Sequence, residues 1–319
     1  MMVIAVGLNP ALDRILIVPG FAVGQTLKAE SVHVLPSGKG TNVAAVLSLL
    51  CVPVRYVGFV GAQEVAAYRA RLNRIPCDLV ELDGRTRTDT TIIDPGQSET
   101  HVREPGFEVT PEHVAAFINR LAVSLARGDL VMLSGSLPPG APADAYARII
   151  EACRARGAQS FLDTSGEPLR RGAAAVPDFM KPNREELEEL VGHPIGDEHG
   201  ADDATIVAAA RELIGCGVKA VAVTLGGDGG ILVDGDTSGV EAWRGRAEAP
   251  EVVNTVGCGD ALASGWMAAR LAGGASAEQL REALALGAAN AMTHGAGVIR
   301  ADHIALMRRR AVVRRIESR

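Results

Sequence analysis

Aromatic side chains make up only 3% of the 319 residues: two Trp, three Tyr and six Phe. So few rings leave little material for the stacking platform that single-stranded nucleic acid needs. Positive charge is not in excess either. The 32 basic and 38 acidic residues leave −6 at neutral pH, which argues against general polyanion binding. One basic run, Arg308, Arg309, Arg310, Arg314, Arg315 and Arg319, closes the chain and reads as a solvated helix end favoured by the helix dipole. Cysteine is sparse and unpatterned: residues 51, 77, 153, 216 and 258 are odd in number and form no Cys-x-x-Cys. Neither a disulfide framework nor a structural zinc site is legible, as suits a reducing compartment. His193 and His199 lie six apart in a Pro/Gly/Asp-rich stretch that reads as a surface loop, not a metal site. Long apolar runs are missing too. The longest uncharged stretch, Ala283 to Ile299, carries Asn290, Thr293 and His294 and is too short and polar to cross a bilayer. No basic leader precedes the first apolar run, Val3-Ile4-Ala5-Val6. The expectation is a cytoplasmic protein with no nucleic-acid or membrane partner.

What the chain has in quantity is apolar residues, 47%, and 36 glycines, which together indicate a core of Ala, Val and Leu with many tight turns. Apolar β-rich runs at 3–7, 54–60, 129–134, 159–163, 177–181 and 219–224 alternate with helical patterns near 42–51, 63–74, 111–127, 142–156, 184–191 and 203–215. That alternation is the mark of a parallel sheet with crossover helices. Two Ala/Gly-rich helices, about 260–272 and 277–292, close the pattern and suit close packing. Residues 14–35 and 78–103 break it, reading as extended segments with turns. Asp94-Pro95-Gly96-Gln97 between two β-branched runs predicts a hairpin. Strands inserted this way would form a small lid beside the main layer. Ligands in open α/β sheets bind past the carboxyl ends of the strands, so the loops there are where chemistry is sought.

Three glycine-rich segments occupy such positions. Pro36-Ser37-Gly38-Lys39-Gly40-Thr41-Asn42 enters a helix, but Lys39 is followed by Gly40 and His33 stands at the upstream glycine position, so it is not a Walker A loop. It remains a small-residue turn able to bring backbone N–H groups near a polar ligand. Thr255-Val256-Gly257-Cys258-Gly259-Asp260 directly precedes a long helix. Its glycines let successive N–H groups converge on an anion at the helix's positive end, with Asp260 in the same space. An acid in a first turn also serves the dipole, yet dipole complementarity needs no double glycine. A carboxylate beside an anion hole suits deprotonation of a hydroxyl that attacks a phosphoryl group. Thr224-Leu225-Gly226-Gly227-Asp228-Gly229-Gly230 lies between two strand-like runs and reads as a hairpin turn or a nucleotide phosphate shelf. Lys181-Pro182-Asn183-Arg184-Glu185-Glu186 adds a capping box, Asn183 with Glu186, or alternatively a place for Glu186 near magnesium.

Taken together the pattern resembles the PfkB (ribokinase-like) sugar kinases, in the branch containing 1-phosphofructokinase and tagatose-6-phosphate kinase. The resemblance is carried by Leu8-Asn9-Pro10-Ala11-Leu12-Asp13, Ser37 through Ala44, Leu133-Ser134-Gly135-Ser136-Leu137-Pro138-Pro139-Gly140, Lys181 through Leu187 and Thr255 through Asp260, in family order across nearly the whole chain. It implies a three-layer α/β/α sandwich over residues 1–319 whose lid strands, from about 14–35 and 78–103, cover the sugar. It implies an ATP- and magnesium-dependent kinase, with Asp260 as base and Gly257, Cys258 and Gly259 as anion hole. Asp13, Gly38, Lys39, Asn42 and Ser136 match sugar-side positions. Lys181, Asn183, Thr224, Gly226, Gly229 and Asn290 match nucleotide-side positions, and Glu186 the magnesium-associated acid.

Four departures stand out. The usual Gly-Gly-Lys-Gly reads Ser37-Gly38-Lys39-Gly40, placing a side chain where backbone normally nears the sugar. Cys258 replaces an alanine, which makes oxidation there a route to inhibition. Ala62-Gln63-Glu64-Val65 lacks the glycine-bearing turn of relatives. In the lid, the common Arg-x-Asn reads Arg87-Thr88-Asp89, an acid that would repel a phosphorylated substrate. Even so, Lys28, Lys39, Arg87 and Arg103 fall on the lid or the loop beneath it, and four cations favour a phosphosugar. The alternatives are a neutral-sugar or nucleoside kinase on the same fold, or a non-catalytic sugar-phosphate or nucleotide-binding regulator. The partners expected are ATP and a sugar phosphate, and a homodimer paired through the lid is left open.

Overall fold

Val3, Ile4, Ala5 and Val6 are all fully buried, because the first strand has helices on both faces. Val3 and Ala5 pack into one core cluster and Ile4 and Val6 into another. The computed structural model describes residues 1–95, 98–196, 202–235 and 239–317. Along the chain it runs β1 (Val3–Gly7), β2 (Ala11–Ile17), β3 (Ser31–Ser37), α1 (Lys39–Leu49), β4 (Val54–Gly61), α2 (Val65–Arg71), β5 (Cys77–Leu82), β6 (Arg87–Asp94) and β7 (Ser98–Arg103). Next come α3 (Pro111–Ser124), β8 (Leu130–Ser134), α4 (Ala145–Arg156), β9 (Gln159–Asp163), α5 (Gly166–Ala174), β10 (Phe179–Met180), α6 (Arg184–Val191), α7 (Asp203–Gly215) and β11 (Ala220–Thr224). The chain ends with β12 (Gly230–Asp234), β13 (Glu241–Arg246), α8 (Cys258–Leu271), α9 (Ser276–Ala291), α10 (Ala301–Arg310) and β14 (Val312–Arg315).

Ten strands form one sheet in the order β14-β13-β12-β11-β10-β9-β8-β1-β4-β5. From β5 to β11 neighbours are parallel; β12, β13 and β14 extend the sheet antiparallel. Phe117 of α3, Tyr146 of α4 and Leu187 of α6 pack on one face. Leu47 of α1, Tyr68 of α2, Trp266 of α8 and Leu284 of α9 pack on the other. The result is the three-layer α/β/α sandwich expected. Helices α8 and α9 touch closely: a Cβ added at Gly265 would sit 2.6 Å from the Glu282 carbonyl oxygen.

Four strands form the second sheet, β3-β2-β6-β7. The lid is therefore narrower than expected. Residues 78–82 lie in β5, which pairs parallel with β4 at the edge of the large sheet. An edge strand buried on one side carries the same loose alternation as a lid strand, and that is what misplaced it. The hairpin expected at 94–97 is present as the antiparallel β6–β7 pair with Asp94 opposite Ser98, while Gly96 and Gln97 lie outside the described residues. The terminal arginines do not form one solvated helix end: Arg308–Arg310 close α10 and Arg314–Arg315 lie on β14, with Arg319 outside the described residues. Arg308 pairs with Glu282, Arg314 with Asp203 and Arg315 with Glu241. His193 pairs with Glu212 at 3.0 Å, and His199 lies outside the described residues. No helix among the described residues is long and apolar enough to cross a membrane.

Candidate active site

Strand β1 sits where the winding of the large sheet changes direction, between β4 and β8. The carboxyl ends of β1, β8, β9, β10 and β11 open beside this point, as doubly wound sheets require of a ligand crevice. Each delivers a polar group. Asn9 follows β1, Ser136 follows β8, Asp163 ends β9, Lys181 follows β10 and Thr224 ends β11.

The centre is the first turn of α8. Gly257 is its N-cap at φ 81°, ψ 0°, and a Cβ there would lie 2.6 Å from the Ala296 Cβ. Only glycine combines that left-handed conformation with that contact. The Cys258 amide reaches the Thr255 carbonyl at 3.3 Å, while the first-turn amides of Gly259 and Asp260 have no intrahelical acceptor. These amides and the helix dipole favour an anion. The Cys258 thiol touches the Asn290 amide nitrogen at 3.7 Å and the Asn254 carbonyl at 3.9 Å. Burial pushes it up to about 11, which disfavours the thiolate that oxidation requires.

Asp260 is buried at 4% exposure. The Asn42 amide donates to its Oδ2 at 2.8 Å, across 218 residues of sequence. Burial pushes its carboxyl up to about 7, against the pull of Lys39 and with the push of Asp163. A carboxylate poised near neutrality is what a general base needs.

Beneath it lies a charge cluster. Asp163, 2% exposed, takes Lys39 Nζ at 3.0 Å and Lys181 Nζ at 3.2 Å on the same oxygen. Burial alone would raise the Asp163 carboxyl, but the two ammonium groups outweigh it and hold it below the usual range. Its second oxygen is buried without a hydrogen-bond partner among the described residues. Lys181 also lies against the anion hole, 3.5 Å from where a Gly259 Cβ would be.

Asn183 and Glu186 form the capping box of α6: Asn183 Oδ1 accepts from the Glu186 amide at 2.7 Å and Glu186 Oε2 from the Asn183 amide at 2.9 Å. Burial raises the Glu186 carboxyl. A β-bridge joins Asn183 to Thr224, linking this cap to the β11–β12 hairpin that carries Gly226 and Gly229. A cleft of about 660 Å³ opens there, lined by Asn183, Thr224, Gly226, Asp228 and Arg244 among others.

On the lid, Asp13 of β2 stands beside Asp89 of β6, with Arg103 of β7 next in register. Burial pushes Asp13 up to about 6; the Ser37 hydroxyl, Arg87 and Arg103 oppose this and Asp89 adds to it. Asp89 does not stand free to repel a ligand, because Arg87 Nη1 binds it at 2.5 Å. Arg87 Nε is buried without a partner among the described residues, as is Asn9 Oδ1, and Arg87 Cδ and Asn9 Oδ1 each lie 3.2 Å from the Cβ position of Gly106. Asn9 Nδ2 donates to Ser136 Oγ at 3.1 Å.

The structure thus gathers Asp13, Gly38, Lys39, Asn42, Ser136, Lys181, Asn183, Glu186, Thr224 and Asp260 on one rim. Two expected residues stand apart. Lys28 is exposed in the β2–β3 connection, with no described contact to this cluster. Asn290 is fully buried and braces loops: its amide donates to the Val256 carbonyl at 2.9 Å and accepts from the Gly297 amide at 3.0 Å. That placement supports the anion hole and leaves its side chain no free polar atom for a nucleotide. Sequence reading missed Asp163 and Asn9 as site members, although an acid closing the apolar run Phe161-Leu162-Asp163 was a visible signal.

A buried carboxylate, a helix N-terminus with open amides and a polar cleft are what a phosphotransferase acting on an alcohol group requires. The chain belongs to the pfkB family of carbohydrate kinases, whose model matches residues 2–302. It is 35% identical over 283 residues to the 1-phosphofructokinase of Xanthomonas campestris, covering 86% of each chain. It is 36% identical over 286 residues to the 1-phosphofructokinase of Rhodobacter capsulatus, covering 88% of this chain and 87% of that one. Its fold is that of Escherichia coli phosphofructokinase-2 solved with substrates and products, at a TM-score of 0.86 and 23% identity over 97% of this chain and 99% of that one.

Proposed function

We propose that this kinase transfers the γ-phosphoryl group of ATP to a primary hydroxyl of a phosphorylated hexose, fructose 1-phosphate first among them. The observation that carries this reading is the lid's inner face, where Arg87 and Arg103 flank Asp13 and the buried Arg87 Nε has no hydrogen-bond partner among the described residues. A guanidinium with a donor to spare suits a phosphate. Asp13 and Asn9 supply acceptors for sugar hydroxyls, and the relatives named 1-phosphofructokinase agree with the substrate.

In the reaction Asp260 accepts the hydroxyl proton as that oxygen attacks phosphorus in line. The first-turn amides of α8 and the Lys39 and Lys181 ammonium groups face the charge on the transferred group, where most catalysis of this kind resides. Among the described residues no three His, Cys, Asp or Glu side chains converge on a metal position. That donor set fits magnesium carried by the nucleotide phosphates, with Glu186 and the orphan oxygen of Asp163 toward its water shell. Bound there, magnesium supplies charge neutralisation at the phosphates.

Arg87→Ala and Arg103→Ala are each expected to raise KM for the sugar phosphate by about 10–100-fold, the worth of a charge-assisted hydrogen bond, with kcat changed less. The check is ADP release against fructose 1-phosphate, fructose 6-phosphate, tagatose 6-phosphate, fructose and a nucleoside. Turnover of fructose or the nucleoside at equal kcat/KM, insensitive to both variants, would show the substrate assignment to be wrong.

The reading extends to a homodimer paired through the lid. Strand register places Val32, Val34, Leu16, Ile92 and Val102 together on the lid face opposite Asp13. Val32, Val34 and Val102 are 50%, 59% and 56% exposed, a patch that a second copy would cover. Sedimentation at micromolar concentration is expected to give a dimer that Val32→Glu with Val34→Glu converts to monomer. A monomeric wild type ends the proposal.

A further inference from the structure

The Asn42 amide that contacts Asp260 has two ends of nearly the same shape, one a donor and one an acceptor. Rotated by half a turn, it would present its oxygen to the carboxylate and withdraw the only side-chain hydrogen bond described at Asp260. Something must set which end faces the base. Asn42 lies in the first turn of α1, where its backbone amide reaches the Gly38 carbonyl at 3.0 Å, so its side chain starts from a fixed point. The neighbour on the other side of the amide is Ser37, whose hydroxyl donates to Asn42 Oδ1 at 2.9 Å.

Ser37 is itself held in place. It ends β3, is fully buried, and its carbonyl accepts from the Tyr68 hydroxyl at 2.8 Å; the same hydroxyl also contacts the Ala11 carbonyl at 2.7 Å. Ala11 is its register partner on β2. A glycine at position 37, as the family pattern has, would supply no hydroxyl. We infer that Ser37 is a positioning residue that fixes the Asn42 amide with its nitrogen toward Asp260, completing a hydrogen-bonded line from Ser37 through Asn42 to the base.

The line has a direction, because a serine hydroxyl has one proton. The structure gives that proton to Asn42 Oδ1. When Asp13 is ionised, it competes with Asn42 for the Ser37 proton. Asp13 lies on β2 of the lid and Asp260 in the first turn of α8. Other charges face each end. Asp260 meets Lys39 of α1, Asp163 of β9 and Lys181 beyond β10. Asp13 meets Asp89 and Arg87 of β6 and Arg103 of β7, with the Tyr68 hydroxyl beyond. None of these touches the Asn42 amide, so the Ser37 contribution is separable from theirs.

This inference rests on Asp260 being the base, and the experiment keeps the two apart. Ser37→Ala, with Ser37→Gly as the smaller alternative, is measured in the wild-type and in the Asn42→Ala background. Two readouts are taken: kcat with the sugar phosphate, and the titration of Asp260 followed by carboxyl carbon-13 shift without substrate. Removing one oriented hydrogen bond to a charged group is expected to cut kcat about three- to tenfold. It should also raise the Asp260 midpoint by about half a unit or more, since a bond to the ionised form is weakened. Both effects should vanish in the Asn42→Ala background, because the two residues act in series. An unmoved midpoint in both serine variants overturns the inference, and so does an equal loss with and without Asn42. Wild-type protein that lacks sugar-phosphate turnover would instead count against the functional assignment, leaving the titration arm to decide on Ser37.

Discussion

Asp260→Asn is expected to lower kcat by about 10²–10⁴-fold, the usual worth of a positioned general base, with ATP affinity near wild type. The substitution keeps shape and can still accept from Asn42 Nδ2, so the anion hole stays assembled. Retention of a tenth or more of wild-type kcat would remove Asp260 from the role. The same variant carries a stability signature. Burial raises the folded-state carboxyl from 3.8 to about 7, so across that interval the folded protein holds a proton the unfolded chain has lost. Stability from this group is therefore fully present below the lower value and is lost as pH rises through the upper one. Asn has no such cost. The Tm of the variant relative to wild type should climb between pH 5 and pH 8.5, opposite in sign to its activity. A fixed Tm difference across that range would mean that Asp260 is not a strained carboxylate.

Much of this arrangement was legible from residue order because the central strands are buried on both sides. Val3–Gly7 and Leu130–Ser134 read as unbroken apolar runs, which marks them as strands and places the loops that follow at the sheet's carboxyl edge. Glycines gave the addresses of the turns. What failed was wherever a strand or helix has one wet face or an unusual composition. Cys77–Leu82 is only partly buried and was joined to the lid, whereas it borders the large sheet. Helix α5, Gly-Glu-Pro-Leu-Arg-Arg-Gly-Ala-Ala, contains two glycines and a proline and was not foreseen, because propensity argues against it while packing of Leu169 supports it. Helix α10 reads in the sequence only as a helix end, because its arginines run together with those of the tail.

The site shows the same division. Asp260, Asn183 and Lys39 stand in short motifs whose chemistry is local, so spacing exposed them. Asp163 has its meaning through Lys181 and through Lys39, 124 residues earlier, and no short window on the chain contains all three. Asn290 lay in the helix expected to flank a nucleotide, but its partners are the backbone of Val256 and Gly297, which only folding brings to it. Asp89 looked repulsive in isolation and is held by a guanidinium two residues away on the same strand face.

Asp163 is where the largest loss of stability is expected. Its carboxylate is the shared counter-ion of two lysines, and they differ in exposure: the Lys181 side chain is 7% exposed and that of Lys39 is 40%. Asp163→Asn keeps the volume and leaves Lys181 buried without a carboxylate. Breaking a buried pair in that way costs about 3–5 kcal/mol, whereas Lys39 can turn to water. For a chain of 319 residues the fall in Tm is about 4–8 °C. The sign with pH follows from the lowered carboxyl: its stabilisation is present above the unfolded value and fades as pH falls through the folded one. The Tm gap between variant and wild type should hold at pH 5 to 7 and narrow under strong acid. A double variant, Asp163→Asn with Lys181→Met, removes the stranded charge and should recover more than half of the loss. Thermal unfolding of the three proteins at two pH values is the measurement. A single-variant loss below about 2 °C, or no recovery in the double variant, would mean that this cluster is solvated and that its charges do not bear on the fold. Because Asp163 also raises Asp260, the single variant should shift the acid limb of kcat downward in pH even as it loses stability. One substitution is therefore expected to lower both the stability of the fold and the basicity of Asp260.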